Sequence, residues 1–228
     1  MFNYKKYREI EQIINKLGKK TKIIAISKNH PQEDVNSAIS NGVEIFGENR
    51  VQEAKFKFEK ILIEKKNIKL HLTGPLQTNK VKQALELFDV FHTIDREKLL
   101  KELSKYPEKT EKKSFFIQVN TGKELSKSGV DPINTKKFLE LCRSYGLNNI
   151  SGLMCIPPIT EDPMKHFFLI SKLSDDLGLG SPSIGMSADF LGALDFNPQY
   201  IRLGTILFGE RIWANCCIYT HKNQYQIL

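Results

Sequence analysis

The chain has 228 residues, 40% of them hydrophobic and 26% charged, which is typical of one globular domain with a full hydrophobic core. The net charge of +8 is spread over the helical stretches and forms no basic stripe with interleaved aromatic residues, so we expect no nucleic-acid partner. No apolar run approaches the roughly 20 residues of a membrane span, and the N-terminal stretch lacks a signal-peptide core. We therefore expect no membrane association and a cytoplasmic location.

The four cysteines do not form a recognisable metal or redox motif. Cys142 and Cys155 lie within apolar patterns, whereas Cys216 and Cys217 are adjacent. Neither spacing matches a zinc site or a CxxC pair, so we predict that the chain binds no metal.

Apolar residues alternate between helical spacing and short strand-like runs along the chain. Residues 3–17 have the spacing of an amphipathic helix that ends near Gly18. Eight apolar runs then predict strands at 23–26, 43–46, 70–72, 90–93, 115–120, 151–155, 183–186 and 201–203. Helical spacing predicts helices at 31–41, 51–62, 81–88, 99–103, 138–145, 164–177 and 188–194, and a closing helix beginning within 206–213.

This alternation predicts a parallel sheet covered by helices. Eight strand–helix units favour a closed barrel over an open doubly wound sheet, and no glycine-rich dinucleotide fingerprint follows the first strand. We therefore predict the α/β class and a single-domain (β/α)8 TIM barrel, since no linker or repeat divides the chain.

Lys28 follows the first predicted strand directly, in the segment KIIAISKNH at 22–30. Barrels carry their active sites at the carboxyl ends of the strands. A lysine held there against apolar walls can form a Schiff base with a carbonyl compound. The alternative is a solvated lysine in a lysine-rich chain, and this stretch alone does not decide between the two.

Several other polar residues follow predicted strands and would face the same mouth of a barrel. They are Glu48, Asn49, His71, Thr73, His92 and Asn120. Each has a structural alternative: Asn49 could cap the helix that begins at Val51, Glu48 could be solvated at the rim, and the histidines could be core residues.

The turns after the last two predicted strands have the composition of a phosphate site. Gly185-Met186-Ser187 ends the seventh strand, and Arg202-Leu203-Gly204-Thr205 ends the eighth. Backbone N–H groups at such turns bind phosphate, and barrels commonly place a phosphate site after strands 7 and 8. The alternative is two tight turns without a ligand. Together with a Schiff-base lysine, a phosphate site selects a carbonyl compound with a phosphate group, such as pyridoxal 5′-phosphate (PLP).

Linked motifs run from about residue 5 to residue 211. They are AISK at 25–28, FGENRVQE at 46–53, HLTGPLQTNK at 71–80, HTID at 92–95, QVN at 118–120, SKSG at 126–129, GLMCIPP at 152–158, IGMSAD at 184–189 and RLGTILFGER at 202–211. With these motifs the chain resembles the pyridoxal phosphate homeostasis proteins, relatives of the N-terminal barrel domain of bacterial alanine racemase. The resemblance implies a barrel of that type over 1–211 and leaves 212–228 as a C-terminal extension that we expect to be flexible.

The resemblance also implies the cofactor PLP and residues that bind it. Lys28 matches the family lysine that holds PLP as an aldimine. Ser187, Gly204 and Thr205 match positions that bind the phosphate group.

Three further positions follow from the resemblance. Arg202 matches the arginine that faces the pyridine nitrogen, and Asn49 matches an asparagine close to the cofactor ring. His71 lies in the third-strand motif and is a candidate for the pocket wall only. A permanently charged arginine disfavours protonation of the ring nitrogen, and an unprotonated ring is a weaker electron sink.

The implied function is intracellular PLP (vitamin B6) homeostasis, in which the protein holds PLP with little or no catalysis. The main alternative is a PLP-dependent amino-acid racemase of the same barrel type, although the sequence suggests no second domain. A cofactor-free Schiff-base aldolase would present a similar lysine and phosphate site. We expect PLP as the ligand, PLP-dependent apoenzymes as recipients, and a monomer.

The sequence departs from the family pattern in three places. Arg50 stands where tyrosine is more usual, which changes the charge of the rim. Residues 195–200 replace a run that usually contains glycine, and 212–228 have no counterpart in the family.

Overall fold

A computed structural model of the chain describes residues 1–124 and 127–210, and within them eight strands form a closed parallel barrel. The strands are β1 (Lys22–Ile26), β2 (Ile45–Glu48), β3 (Lys69–Leu72), β4 (Val90–Ile94), β5 (Ser114–Gln118), β6 (Ile150–Met154), β7 (Ser183–Met186) and β8 (Tyr200–Leu203). Each strand pairs with the next in chain order, and β8 closes the barrel on β1 with Arg202 opposite Ile24. The predicted (β/α)8 barrel is confirmed.

Helices cover the outside of this barrel. They are α1 (Tyr4–Lys16), α2 (Gln32–Ser40), α3 (Val51–Glu64), α4 (Val81–Leu87), α5 (Glu97–Leu103), α6 (Pro107–Thr110), α7 (Thr135–Ser144), α8 (Pro163–Asp176), α9 (Phe190–Ala193) and α10 (Thr205–Phe208). Side-chain caps fix two of their starts, because Asn3 accepts from the N–H of Lys6 and Asp162 accepts from the N–H of Met164. No helix in the described ranges is long and apolar enough to cross a membrane.

Alternate residues of each strand face opposite sides of the barrel wall. On β1, Ile24 and Ile26 belong to the cluster inside the barrel, whereas Ile23 and Ala25 pack outward against the helices. The inner cluster also contains Val90, Phe116, Met154 and Tyr200. Because both neighbours of Arg202 in β8 pack outward, the side chain of Arg202 faces the barrel interior.

The second strand lies two residues later than predicted, at Ile45–Glu48 instead of 43–46. Gly42 has φ +86°, and the N–H of Val43 bonds back to the carbonyl of Ala38, so these residues still close α2. Gly47 belongs to the strand. A Cβ on Gly47 would lie 2.4 Å from Cδ1 of Ile26, so the crowded barrel interior requires glycine there.

The remaining differences lie at the ends of elements. The short helix α6 was not predicted, because 107–110 has no apolar periodicity and begins at a proline in the first helical turn. The closing helix α10 begins at Thr205, one residue before the predicted segment 206–213. The predicted extension at 212–228 lies outside the described residues, as does Arg211 of the last motif.

Candidate functional site

Four neighbouring strands, in the order β2, β1, β8 and β7, form one side of the barrel mouth. Predicted site residues follow the carboxyl end of each of them. They are Asn49 after β2, Lys28 after β1, Gly204 and Thr205 after β8, and Ser187 after β7. The structure therefore brings these five residues to the same side of the mouth.

Lys28 is half-buried and lies at the second position of a tight turn. The N–H of His30 donates to the carbonyl of Ser27 over 3.1 Å and closes the turn, with Asn29 in the left-handed region at φ +61°. Asparagine tolerates this conformation better than most residues. The N–H of Ser27 also donates to the carbonyl of Gly47 over 3.1 Å, which ties the start of the turn to β2.

Glu48 is the last residue of β2 and is fully buried, so the alternative of a solvated rim residue is wrong. Its Oε1 atom accepts from the hydroxyl of Ser27 over 2.7 Å and from Nζ of Lys57 over 3.0 Å. Its buried Oε2 atom has no hydrogen-bond partner among the described residues. Burial raises the pKa of this carboxyl to about 7, although the charge of Lys57 opposes that rise.

The turns after β7 and β8 meet at the hydroxyl of Ser187. Its Oγ atom accepts hydrogen bonds from the N–H groups of Gly204 (3.3 Å) and Ile206 (3.5 Å). Asp189 shapes the first turn by accepting from the N–H of Met186 over 2.6 Å. These contacts place one hydroxyl and two backbone donors in a single cluster.

Arg202 is buried inside the barrel and is held from the β6–β7 side. Its guanidinium donates to the carbonyl and hydroxyl oxygens of Ser183 (2.7 and 2.9 Å) and to the carbonyl of Cys155 (2.9 Å). No carboxylate lies within ion-pair distance of it in the described part of the chain. Burial lowers the pKa of Arg202, yet an arginine remains protonated at neutral pH.

Asn49 lies beside the loop that follows β3. Its Oδ1 atom accepts from the hydroxyl of Thr73 over 3.0 Å, and a Cβ on Gly74 would lie 2.5 Å from its carbonyl oxygen. The capping interpretation of Asn49 is wrong, because the residue before α3 is Arg50 and no side chain caps that helix. The Asn49 side chain is therefore positioned by the β3 loop.

His71 and His92 form a buried pair inside the barrel. Nδ1 of His71 and Nε2 of His92 are 3.0 Å apart, and both rings contact Tyr200 at the start of β8. Burial lowers the pKa of His71 to about 3 and that of His92 well below its usual value. Both are therefore neutral core residues at physiological pH, and a role for His71 in the pocket wall stays a prediction.

Sequence reasoning missed several groups that shape the mouth. Ile206 contributes a backbone N–H, which residue type does not reveal, and Ser183 and Cys155 contribute carbonyl oxygens to Arg202. Asn120 stabilises the loop after β5, because its side chain bonds to both the carbonyl and the N–H of Glu124.

The arrangement fits a phosphorylated carbonyl compound. A hydroxyl and adjacent backbone N–H groups at the β7 and β8 turns are the donors that a phosphate group accepts from. A lysine amine follows the neighbouring strand, and a buried cation lies inside the barrel below the mouth. PLP has the matching phosphate, aldehyde and ring nitrogen.

Comparison with known proteins agrees with this geometry. The family described as alanine racemase, N-terminal domain, matches residues 5–212. The pyridoxal phosphate homeostasis protein of Aquifex aeolicus is 36% identical over 200 residues, which cover 83% of this chain and 87% of that protein. The chain belongs to the pyridoxal phosphate homeostasis protein family. Another member of the family, from Vibrio cholerae, is 35% identical over 220 residues and matches 90% of this chain.

Solved structures with the same barrel include a member with its ligand. PipY of Synechococcus elongatus with PLP bound has a TM-score of 0.75 at 31% identity, covering 90% of this chain and 100% of PipY. Its structure without PLP has a TM-score of 0.78. Alanine racemase from Bartonella henselae has a TM-score of 0.72 at 15% identity and shares the fold, and this chain covers 60% of that racemase.

Proposed function

We propose that this protein binds PLP in the barrel mouth, forms a Schiff base with it at Lys28, and serves PLP homeostasis with little or no catalysis. The observation that carries the proposal is the contact of Ser187, in the turn after β7, with the N–H groups of Gly204 and Ile206, which follow β8. Strand β8 pairs with β1, the strand that Lys28 follows. The PLP-bound structure of the relative PipY supports the choice of ligand.

Ser187 and the β8 turn are proposed to bind the phosphate. Charged acceptors strengthen hydrogen bonds from N–H and O–H donors, so an incoming phosphate would replace Ser187 Oγ as the acceptor of the two amide protons. The hydroxyl of Ser187 can then donate its own proton. Thr205 is exposed on the same turn and offers a further N–H and hydroxyl.

Lys28 is proposed to anchor the ligand reversibly. When bound, PLP supplies an aldehyde that condenses with a lysine amine, forming a C=N bond and releasing the aldehyde oxygen as water. The turn at Ser27–His30 holds the Lys28 backbone at the mouth. Asn49, fixed by Thr73, is proposed to lie beside the ring.

Arg202 is proposed to keep the catalytic activity of bound PLP low. Its charge is buried, and its hydrogen-bond acceptors among the described residues are neutral oxygens of Ser183 and Cys155. A second positive charge on the ring nitrogen would therefore be disfavoured. The ring would withdraw electrons weakly, which argues against efficient racemisation.

We further propose that the protein acts in the cytoplasm as a monomer and passes PLP to PLP-dependent apoenzymes. The aldehyde can leave Lys28 by hydrolysis or by transfer to another amine, and both routes need an accessible mouth. Half-buried Lys28 and exposed Thr205 satisfy that requirement in the isolated chain.

Absorbance after incubation with PLP tests this proposal. We expect a visible Schiff-base band that borohydride bleaches, that Lys28→Ala abolishes, and that the control Lys55→Ala retains. A protein that stays colourless would contradict PLP binding at Lys28. Formation of D-alanine from L-alanine at about 10 per second, an ordinary enzymatic rate, would favour the racemase alternative instead.

A further inference from the structure

A buried lysine lies behind the turn that carries Lys28. Nζ of Lys57, on α3, donates to the carbonyl of Ser27 (2.7 Å), to Oε1 of Glu48 (3.0 Å) and to Oε1 of Glu53 (2.6 Å). Three protein acceptors therefore surround the ammonium group. Nothing in the proposed binding of PLP uses this cluster.

Lys57 occupies a position where an apolar residue would be expected. It lies on the same face of α3 as Ala54, Phe58 and Ile61, all of which are buried. Its side chain is only 5% exposed, and that of Glu48 is fully buried. Charges in such places are costly unless they are paired and hydrogen-bonded, so this cluster needs its specific geometry to exist.

The bonds of Lys57 converge on both neighbours of Lys28. The carbonyl of Ser27, which precedes Lys28, accepts directly from Lys57. Glu53 accepts from Lys57 and, through the same Oε1 atom, from the N–H of Asn29 over 2.6 Å. The two peptide groups that flank Lys28 are thus tied to one ammonium group.

We propose that Lys57 is a positioning residue that fixes the backbone on both sides of Lys28 and thereby sets how tightly Lys28 bonds to an aldehyde. The inference rests on the proposed function. Formation of the C=N bond requires the amine to stay aligned with the aldehyde carbon, and a loosened turn must be ordered first. Phosphate binding at the β7 and β8 turns does not pass through Lys57, since its three acceptors lie on the β1 turn, β2 and α3.

Two ligands separate the contribution of the C=N bond to affinity from that of the phosphate contacts. PLP can form the C=N bond, whereas pyridoxine 5′-phosphate has the same ring and phosphate but an alcohol in place of the aldehyde. The dissociation constants of both are measured for wild type, Lys57→Met and Lys55→Met. Lys55 is a matched control, because it lies on the same helix, its side chain is 45% exposed, and it forms an ion pair with Glu59 instead of with the Glu48–Glu53 cluster.

We expect Lys57→Met to weaken PLP binding about tenfold, equivalent to about 1.4 kcal/mol, and to leave pyridoxine 5′-phosphate binding within about twofold. Lys55→Met should change neither. An equal loss for both ligands would mean general damage to the mouth and would overturn the inference, as would no loss for either. Glu53→Ala, at a less buried position, should give the same selective loss and decides the matter if Lys57→Met does not fold.

The ratio of the two dissociation constants in wild type and Lys28→Ala distinguishes failure of this inference from failure of the proposed function. If wild type and Lys28→Ala have the same ratio of the two dissociation constants, Lys28 forms no C=N bond and both proposals fail. If that ratio depends on Lys28 but is unchanged in Lys57→Met and Glu53→Ala, only the role of Lys57 is refuted.

Discussion

The backbone N–H of Gly204 donates a 3.3 Å hydrogen bond to Oγ of Ser187, and this contact joins the turns that follow β8 and β7. The two residues are adjacent in space because their strands pair, with Arg202 opposite Met186 in the register. A hydroxyl in contact with backbone donors is a suitable place for a phosphate group. This contact favours a ligand that carries a phosphate group.

Ser187→Ala should therefore weaken binding of PLP by about tenfold to a hundredfold, because it removes one hydrogen bond to a charged group, worth about 1.5–3 kcal/mol. Pyridoxal, which lacks the phosphate, should bind equally well to variant and wild type. Equilibrium dialysis with both ligands measures the difference. A similar loss for pyridoxal would argue against a phosphate contact at Ser187.

Gly47→Ala should destabilise the barrel by about 1–3 kcal/mol, the usual cost of an added methyl group in a packed core. The new Cβ would lie 2.4 Å from Cδ1 of Ile26 and 2.8 Å from Cγ2 of Ile24. Urea denaturation measures the free energy of unfolding. Ile26→Val removes Cδ1, so the double variant should be more stable than the sum of the two single changes predicts. Strict additivity would contradict the predicted clash.

The His71–His92 pair should make the fold sensitive to acid. Both pKa values lie below the unfolded value of about 6.5, so the unfolded chain binds more protons once the pH falls below that value. The two histidines therefore do not lower the free energy of unfolding above about pH 6.5. As the pH falls from there toward 3, the free energy of unfolding decreases by about 1.4 kcal/mol per pH unit for each proton that only the unfolded chain binds.

Glu48 acts in the opposite direction, because its raised pKa of about 7 makes the folded state bind the extra proton above its unfolded pKa. Comparing the His71→Leu/His92→Leu variant with wild type removes this shared contribution. The variant should lose less stability than wild type between pH 6.5 and 4.5. Parallel curves in urea titrations across that range would show that the histidines are not held neutral.

The sequence was sufficient to predict the fold and to locate the candidate residues that follow strand ends. Strand–helix alternation predicted eight strands, and the carboxyl end of β1 located Lys28 because all strands of a parallel barrel point to one mouth. The cluster around Lys57 was not predicted, although a lysine among Ala54, Phe58 and Ile61 on one helix face is a readable signal.

Other features had no signal in residue type. The N–H of Ile206 and the carbonyl of Cys155 are backbone groups, and only the register of β6, β7 and β8 places them beside Ser187 and Arg202. Glu48 shows a further limit of the sequence. The predicted strand ended at residue 46, which left Glu48 in the loop, whereas β2 ends at Glu48 and buries its side chain. Strand boundaries decide which side chains are buried, and local patterns fix them only approximately.

Lys28 is proposed to be the residue that bonds to PLP. Incubation with PLP, borohydride reduction and peptide mass mapping tests it most directly, because reduction converts the C=N bond to a stable secondary amine. We predict one dominant modified site, at Lys28, at equimolar PLP. Modification spread over exposed lysines with Lys28 unmodified would contradict a Schiff base at Lys28.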